Sequence, residues 1–189
     1  MTVEYARYRL APLSWVGMQD WTAAAAIGGS DCERIGDAFL AQPVLALTSL
    51  MYVGAGLAAL CWALRGRALA AGAVGAALVV VGFGSFVYHG PQPAWAGPVH
   101  DWPIAVLAAA CVVALIRGAR RRRTVVVVAA ASFALGLAAY AAGRTGSPLC
   151  RPESVWQYHG AWHILSGAAA GLAAWATVRA RQYRSPRCR

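Results

Sequence analysis

Charge is scarce in this chain of 189 residues: there is no lysine, there are only seven acids, and charged residues make up 13% of the total. Soluble domains carry about 25%, so an ordinary water-facing surface is excluded. In place of charge the chain is 59% hydrophobic, with a mean hydropathy of +0.51, the composition of a protein dissolved in a bilayer. No signal peptide is expected either, because residues 1–20 show no uninterrupted apolar core and no cleavage pattern. The first helix is therefore expected to be its own insertion signal. The net charge of +10 does not call for nucleic acid, since the arginines cluster between apolar runs where membrane topology accounts for them.

A hydrocarbon core about 30 Å thick is crossed by about 20 apolar residues in a helix. Five such runs are present: Val44 to Leu64, Ala68 to His89, Asp101 to Ile116, Thr124 to Ala142, and His159 to Val178. The third is short, and extends back through Pro98 and Val99 or meets a thin bilayer. A sixth span within residues 1–40 is not expected, because Asp20, Asp31, Glu33, Arg34 and Asp37 would each cost about 2.5–3.5 kcal/mol near a helix centre. The expected class is an all-α integral membrane bundle of about five transmembrane helices. Its parts are an extracytoplasmic segment (1–43), the helical domain (44–178) and a basic cytoplasmic tail (179–189).

The charges sort by side. Arg65, Arg67, Arg117, Arg120 to Arg123, Arg179, Arg181, Arg184, Arg187 and Arg189 share one face with no acid, while all seven acids lie on the other. The positive-inside rule then puts the N-terminus outside and the C-terminus in the cytoplasm. Glycines such as Gly54, Gly56, Gly72, Gly75, Gly82 and Gly84 stud the first two helices, where small residues let backbones approach. Trp62, Trp95, Trp102, Trp156 and Trp175 fall near helix ends and read as interfacial anchors.

Only four histidines exist, and this topology brings all four towards the outer face. His159 and His163 are four apart, which stacks them on one helical face, the spacing by which one helix supplies two metal ligands. Ser85 and His89 repeat the spacing, and His89 would complete a three-histidine zinc site with one position open. Such a pair is also met as ordinary polar residues at a helix end. His100 is interfacial or supports the metal from outside. Asp101 is either a general base or a carboxylate at the positive end of a helix dipole. Ser85 is either an oxyanion donor or a helix serine bonded one turn back. Of the five cysteines, Cys61 and Cys111 lie in spans without an activating neighbour and Cys188 is cytoplasmic, so only Cys32 and Cys150 can pair outside.

Together these residues resemble the alkaline ceramidase family, part of a wider membrane hydrolase superfamily that includes the adiponectin receptor type. The shared pattern is Ser-x3-His (Ser85, His89), Asp (Asp101) and His-x3-His (His159, His163). Asp31-Cys-Glu33 and the segment Gln42 to Ser49 echo the family's early Cys-Glu and Trp-Asn-Thr-x-Ser-Asn. The likeness is scattered over residues 31–170. It implies zinc on His89, His159 and His163, water activation by Asp101, assistance from Ser85 and a disulfide between Cys32 and Cys150. It also implies cleavage of the amide of a ceramide-like N-acyl lipid, giving a fatty acid and a sphingoid-type amine.

Two departures stand out. The family has seven helices where this chain has room for five, a loss that leaves the side of the site unchanged. The family's calcium site is reduced here to Asp31, Glu33 and Gln42, too few oxygens to commit to calcium. A non-catalytic metal- or haem-binding membrane protein and a lipid receptor remain as alternatives, although haem needs neither Ser85 nor Asp101. Arginine-only basicity with much alanine and glycine suits a GC-rich bacterial genome, so the expected location is a bacterial inner membrane with the site facing out. The oligomeric state is not written in the residues.

Overall fold

Five helices and no strand make up the described residues, 27–119 and 122–178, of the computed structural model: α1 (Pro43–Gly66), α2 (Leu69–His89), α3 (Ala96–Ala119), α4 (Arg123–Ala142) and α5 (Tyr158–Thr177). Expectations for residues 1–26, Arg120, Arg121, the basic tail and Cys188 lie outside them.

The helix boundaries have local causes. Pro43 opens α1 with φ already set and no N–H to strand. The next N–H groups, of Val44 and Leu45, each donate at 2.8 Å to the Glu33 carboxylate, which caps the helix from the preceding segment. Arg67, left-handed at φ 49°, ends α1. Helix α3 starts at Ala96, five residues before Asp101, so the third run is a full-length span. Pro103 inside it has no N–H to offer the Val99 carbonyl one turn back. That carbonyl lies where a Cβ on Gly84 would be, so α2 and α3 meet backbone to backbone.

Small residues set the packing elsewhere too. A Cβ on Gly56 would stand 2.8 Å from the Gly75 carbonyl, and one on Gly82 would stand 2.6 Å from Val53, so these glycines are the α1–α2 contact. Gly54 and Gly72 are not: a side chain at Gly54 would meet open space, and one at Gly72 only ordinary contact. The buried core is mostly alanine with Val74, Leu78, Val81, Leu107 and Tyr52.

Four helices, α1 to α4, are long and apolar enough to cross a membrane. They carry exposed Leu57, Val80, Phe83, Val106, Ile116 and Leu135, apolar surface suited to lipid rather than water. Helix α5 is not among the four, because its 20 residues include His159, His163, Ser166 and three glycines. It is instead the central helix, packed against all the others.

The hairpin order puts the starts of α1, α3 and α5 at one end with the finishes of α2 and α4. Asp31, Glu33, Asp37, Asp101 and Glu153 gather there, whereas Arg65, Arg67, Arg117, Arg122 and Arg123 lie at the other end, with no acid among the described residues. Trp95, Trp102 and Trp156 are exposed at the acidic end, as anchors would be. Trp62 and Trp175 differ: they pack edge-on at 4.9 Å, with Arg122 over the Trp175 ring at 4.8 Å, and so tie α1, α4 and α5 together.

Candidate metal centre

His89 at the end of α2 and His159 and His163 in the first turns of α5 converge at the acidic end of the bundle. All three are buried, and one nitrogen of each lies within 4.8 Å of the others. The rings form a triangle, with centroids 5.5 Å apart for His89–His159, 5.4 Å for His89–His163 and 4.9 Å for His159–His163.

Each Nδ1 has an oxygen from outside the cluster. His89 Nδ1 is 2.9 Å from Gln42 Oε1, and His163 Nδ1 is 3.0 Å from Thr48 Oγ1. His159 Nδ1 is 3.0 Å from Asp31 Oδ1, at a slant that falls short of a full hydrogen bond. The Nε2 atoms are what remains, and His89 Nε2 is buried with no partner. Three buried imidazoles, two with the outer nitrogen hydrogen-bonded and the third with a carboxylate beside it, with one nitrogen of each within 4.8 Å of the others, fit a first-row divalent cation, for which imidazole is a favoured ligand.

The surrounding segment is tightly fixed. Cys32 and Cys150 form a disulfide, the Cys32 N–H donates to the Gly143 carbonyl at 2.8 Å, and the Thr145 N–H donates to the Ser30 carbonyl at 3.0 Å. Gly143 lies so close to His159 that a Cβ there would overlap the start of α5. Arg144 donates to Asp31 Oδ1 at 3.1 Å. Burial, the largest influence on Asp31, pushes its carboxyl upward, but His159, His89 and Arg144 together hold it below the ordinary value. For Glu33 burial outweighs the two N–H bonds and raises the carboxyl above its ordinary value.

The residues read as a calcium echo thus have partners within the protein. Glu33 caps α1, Asp31 serves His159 and Arg144, and Gln42 donates to the Gly28 and Glu33 carbonyls while its oxygen faces His89.

Ser85 is buried one turn before His89, and its partner is Ser49 Oγ at 3.0 Å rather than a carbonyl one turn back. Asp101 stands apart from the cluster. Its side chain is 77% exposed and its Oδ1 is 2.7 Å from His100 Nδ1. His100 stacks on Tyr88 at 4.3 Å and lies edge-on to His89 at 5.9 Å, so it stands between Asp101 and the histidine triangle. The helix-dipole reading of Asp101 weakens, because it sits in the second turn of α3, beyond the reach of that effect.

The sequence pointed to Thr48 and Ser49 only as part of the Gln42 to Ser49 segment and to Arg144 only by its face, and assigned none of the three a place at the site. The available signal was Thr48 and Ser49 themselves, hydroxyls inside an otherwise apolar span. An apolar groove of about 440 Å³ between α2 and α3 runs to Arg117 at the arginine end and has none of the histidines in its lining.

Comparisons with protein-family models, with curated proteins and with solved structures each find no match to this chain.

Proposed function

We propose that this chain is a zinc-dependent intramembrane hydrolase that cleaves the amide of a ceramide-like N-acyl lipid, releasing a fatty acid and a sphingoid-type amine. The carrying observation is the buried triangle of His89, His159 and His163, with the outer nitrogens of His89 and His163 engaged and one nitrogen of each ring within 4.8 Å of the others. Zinc there would supply a Lewis acid that polarises a carbonyl and makes water nucleophilic at a pH of about 7.

The chain's own residues divide the remaining work. Ser85, buried beside the triangle, donates a hydrogen bond to the oxygen that gains charge as the carbonyl is attacked. Asp101 is the base in this reading, taking the proton from water and returning it to the leaving amine; its carboxylate stands across His100 from His89 and would have to close on the water when substrate binds. The resemblance to the alkaline ceramidase family supports the substrate class, and the exposed apolar flanks support delivery of a lipid from the bilayer.

The arginine end faces the cytoplasm of a bacterial inner membrane, and the histidine end faces out, in an oxidising space that suits the Cys32–Cys150 bond. Haem ligation would call for neither Ser85 nor Asp101. The test is release of fatty acid from N-acyl lipids in detergent, with chelated protein as the control. Zinc-loaded protein with no turnover on any N-acyl lipid or ester would favour the lipid receptor instead.

A further inference from the structure

The acceptors around the three histidines determine where each ring proton sits. Gln42 Nε2 lies 3.1 Å from the Gly28 carbonyl and 2.9 Å from the Glu33 carbonyl, and carbonyls only accept, so the amide cannot be turned round. Its Oε1 is thereby fixed towards His89 Nδ1, and an amide oxygen also only accepts. His89 must carry its proton on Nδ1 and its lone pair on Nε2. Thr48 has one hydroxyl proton, given to the Val44 carbonyl at 2.8 Å, with the Leu45 carbonyl at 3.1 Å. With the proton placed there, its oxygen is left to accept from His163 Nδ1. Beside His159 Nδ1 stands the Asp31 carboxylate, an anion that favours an N–H and repels a lone pair.

We infer that Gln42, Thr48 and Asp31 are positioning residues that hold His89, His163 and His159 in the Nδ1–H form, so that three Nε2 lone pairs face one cation position. All three come from residues 31–48, whereas the ligands come from α2 and α5. One short stretch therefore acts as a jig for histidines contributed by two other helices. Gln42 grips His89 twice, since its backbone N–H also donates to the His89 carbonyl at 2.8 Å. A water has two protons to offer three acceptors, but a cation serves all three. Gly160 leaves the room for the Thr48 contact, because a Cβ there would come within 3.3 Å of the Thr48 side chain.

The role of these residues rests on the zinc reading, but the proton positions do not. Side-chain ¹⁵N NMR of the full-length, metal-free protein reports which ring nitrogen is protonated, and chelator competition on the same samples gives zinc affinity. The parent should show Nδ1–H at all three histidines. Thr48→Val exchanges the hydroxyl for a methyl of the same shape; it should disturb the His163 form and weaken zinc binding by about 10–100-fold, the usual loss when such a partner is removed. Thr48→Ser should restore both, and Gln42→Leu should do to His89 what Thr48→Val does to His163. Nε2–H at His89 or His163 in the parent overturns the inference. So does a Thr48→Val protein with parental proton positions and affinity, which would leave the zinc reading intact. A parent with the expected proton positions but no zinc binding would overturn the zinc reading and the role assigned to these residues together.

Discussion

Cys32 is joined to Cys150 across 118 residues, so the segment that carries Asp31, Glu33 and Gln42 is tied to the loop immediately before His159. The bond does more than close a loop: it fastens the groups that hold His89 and His159 to the element that supplies His159 and His163. Cys32→Ser should lower stability by about 2–5 kcal/mol, read as a lower melting temperature in detergent. Mass mapping without reductant should recover the Cys32–Cys150 peptide, and free thiols at both positions in protein from an oxidising compartment would count against the outward-facing topology.

Gly84→Ala should destabilise the bundle by about 1–3 kcal/mol, the usual cost of forcing atoms into a packed interior. The added Cβ has to displace the Val99 carbonyl, which is backbone and cannot swing aside. Gly54→Ala, into open space, should leave the melting temperature unchanged or raise it, since alanine is the better helix former. Equal melting of the two variants would show that the α2–α3 contact is looser than described.

Asp101→Asn should keep zinc and lose about 10²–10⁴-fold in turnover. Its carboxylate is exposed and lies beyond the first turn of α3, so little stability should go with it. Fatty-acid release and metal content measured on one preparation decide this. A folded, zinc-loaded Asp101→Asn protein as active as the parent would remove the general base and leave only the metal site.

Ser85→Ala should lower turnover by up to about 10²–10³-fold if its hydroxyl is a main contact to the oxyanion. Its known partner, Ser49, remains in place, so the bundle should still fold. Unchanged turnover would assign Ser85 to the Ser49 pair alone.

The lengths of the apolar runs and the charges between them were enough to place α1, α2, α4 and α5 to within two residues. The start of α3 was less legible, since two prolines, Pro98 and Pro103, mask a helix whose first turn tolerates one and whose contact with Gly84 accommodates the other. The His159–His163 pair could be read because both ligands sit on one helix. The grip of Thr48 on His163 spans 115 residues and that of Gln42 on His89 spans 47, separations at which no local pattern carries the pairing. Asp31 and Glu33 illustrate the reverse: acids that looked like the residue of a cation site bind a guanidinium, an imidazole and a helix start. Trp62 and Trp175 look like interfacial anchors by position but pack on each other, a distinction that depends on helix rotation.

Elemental analysis of purified protein, parent beside His89→Ala, His159→Ala, His163→Ala and His100→Ala, is the most direct test of the central claim. The account predicts about one zinc in the parent and in His100→Ala, and loss of zinc from each of the other three, because a site of three ligands does not survive as two. Full zinc occupancy in His163→Ala would contradict it.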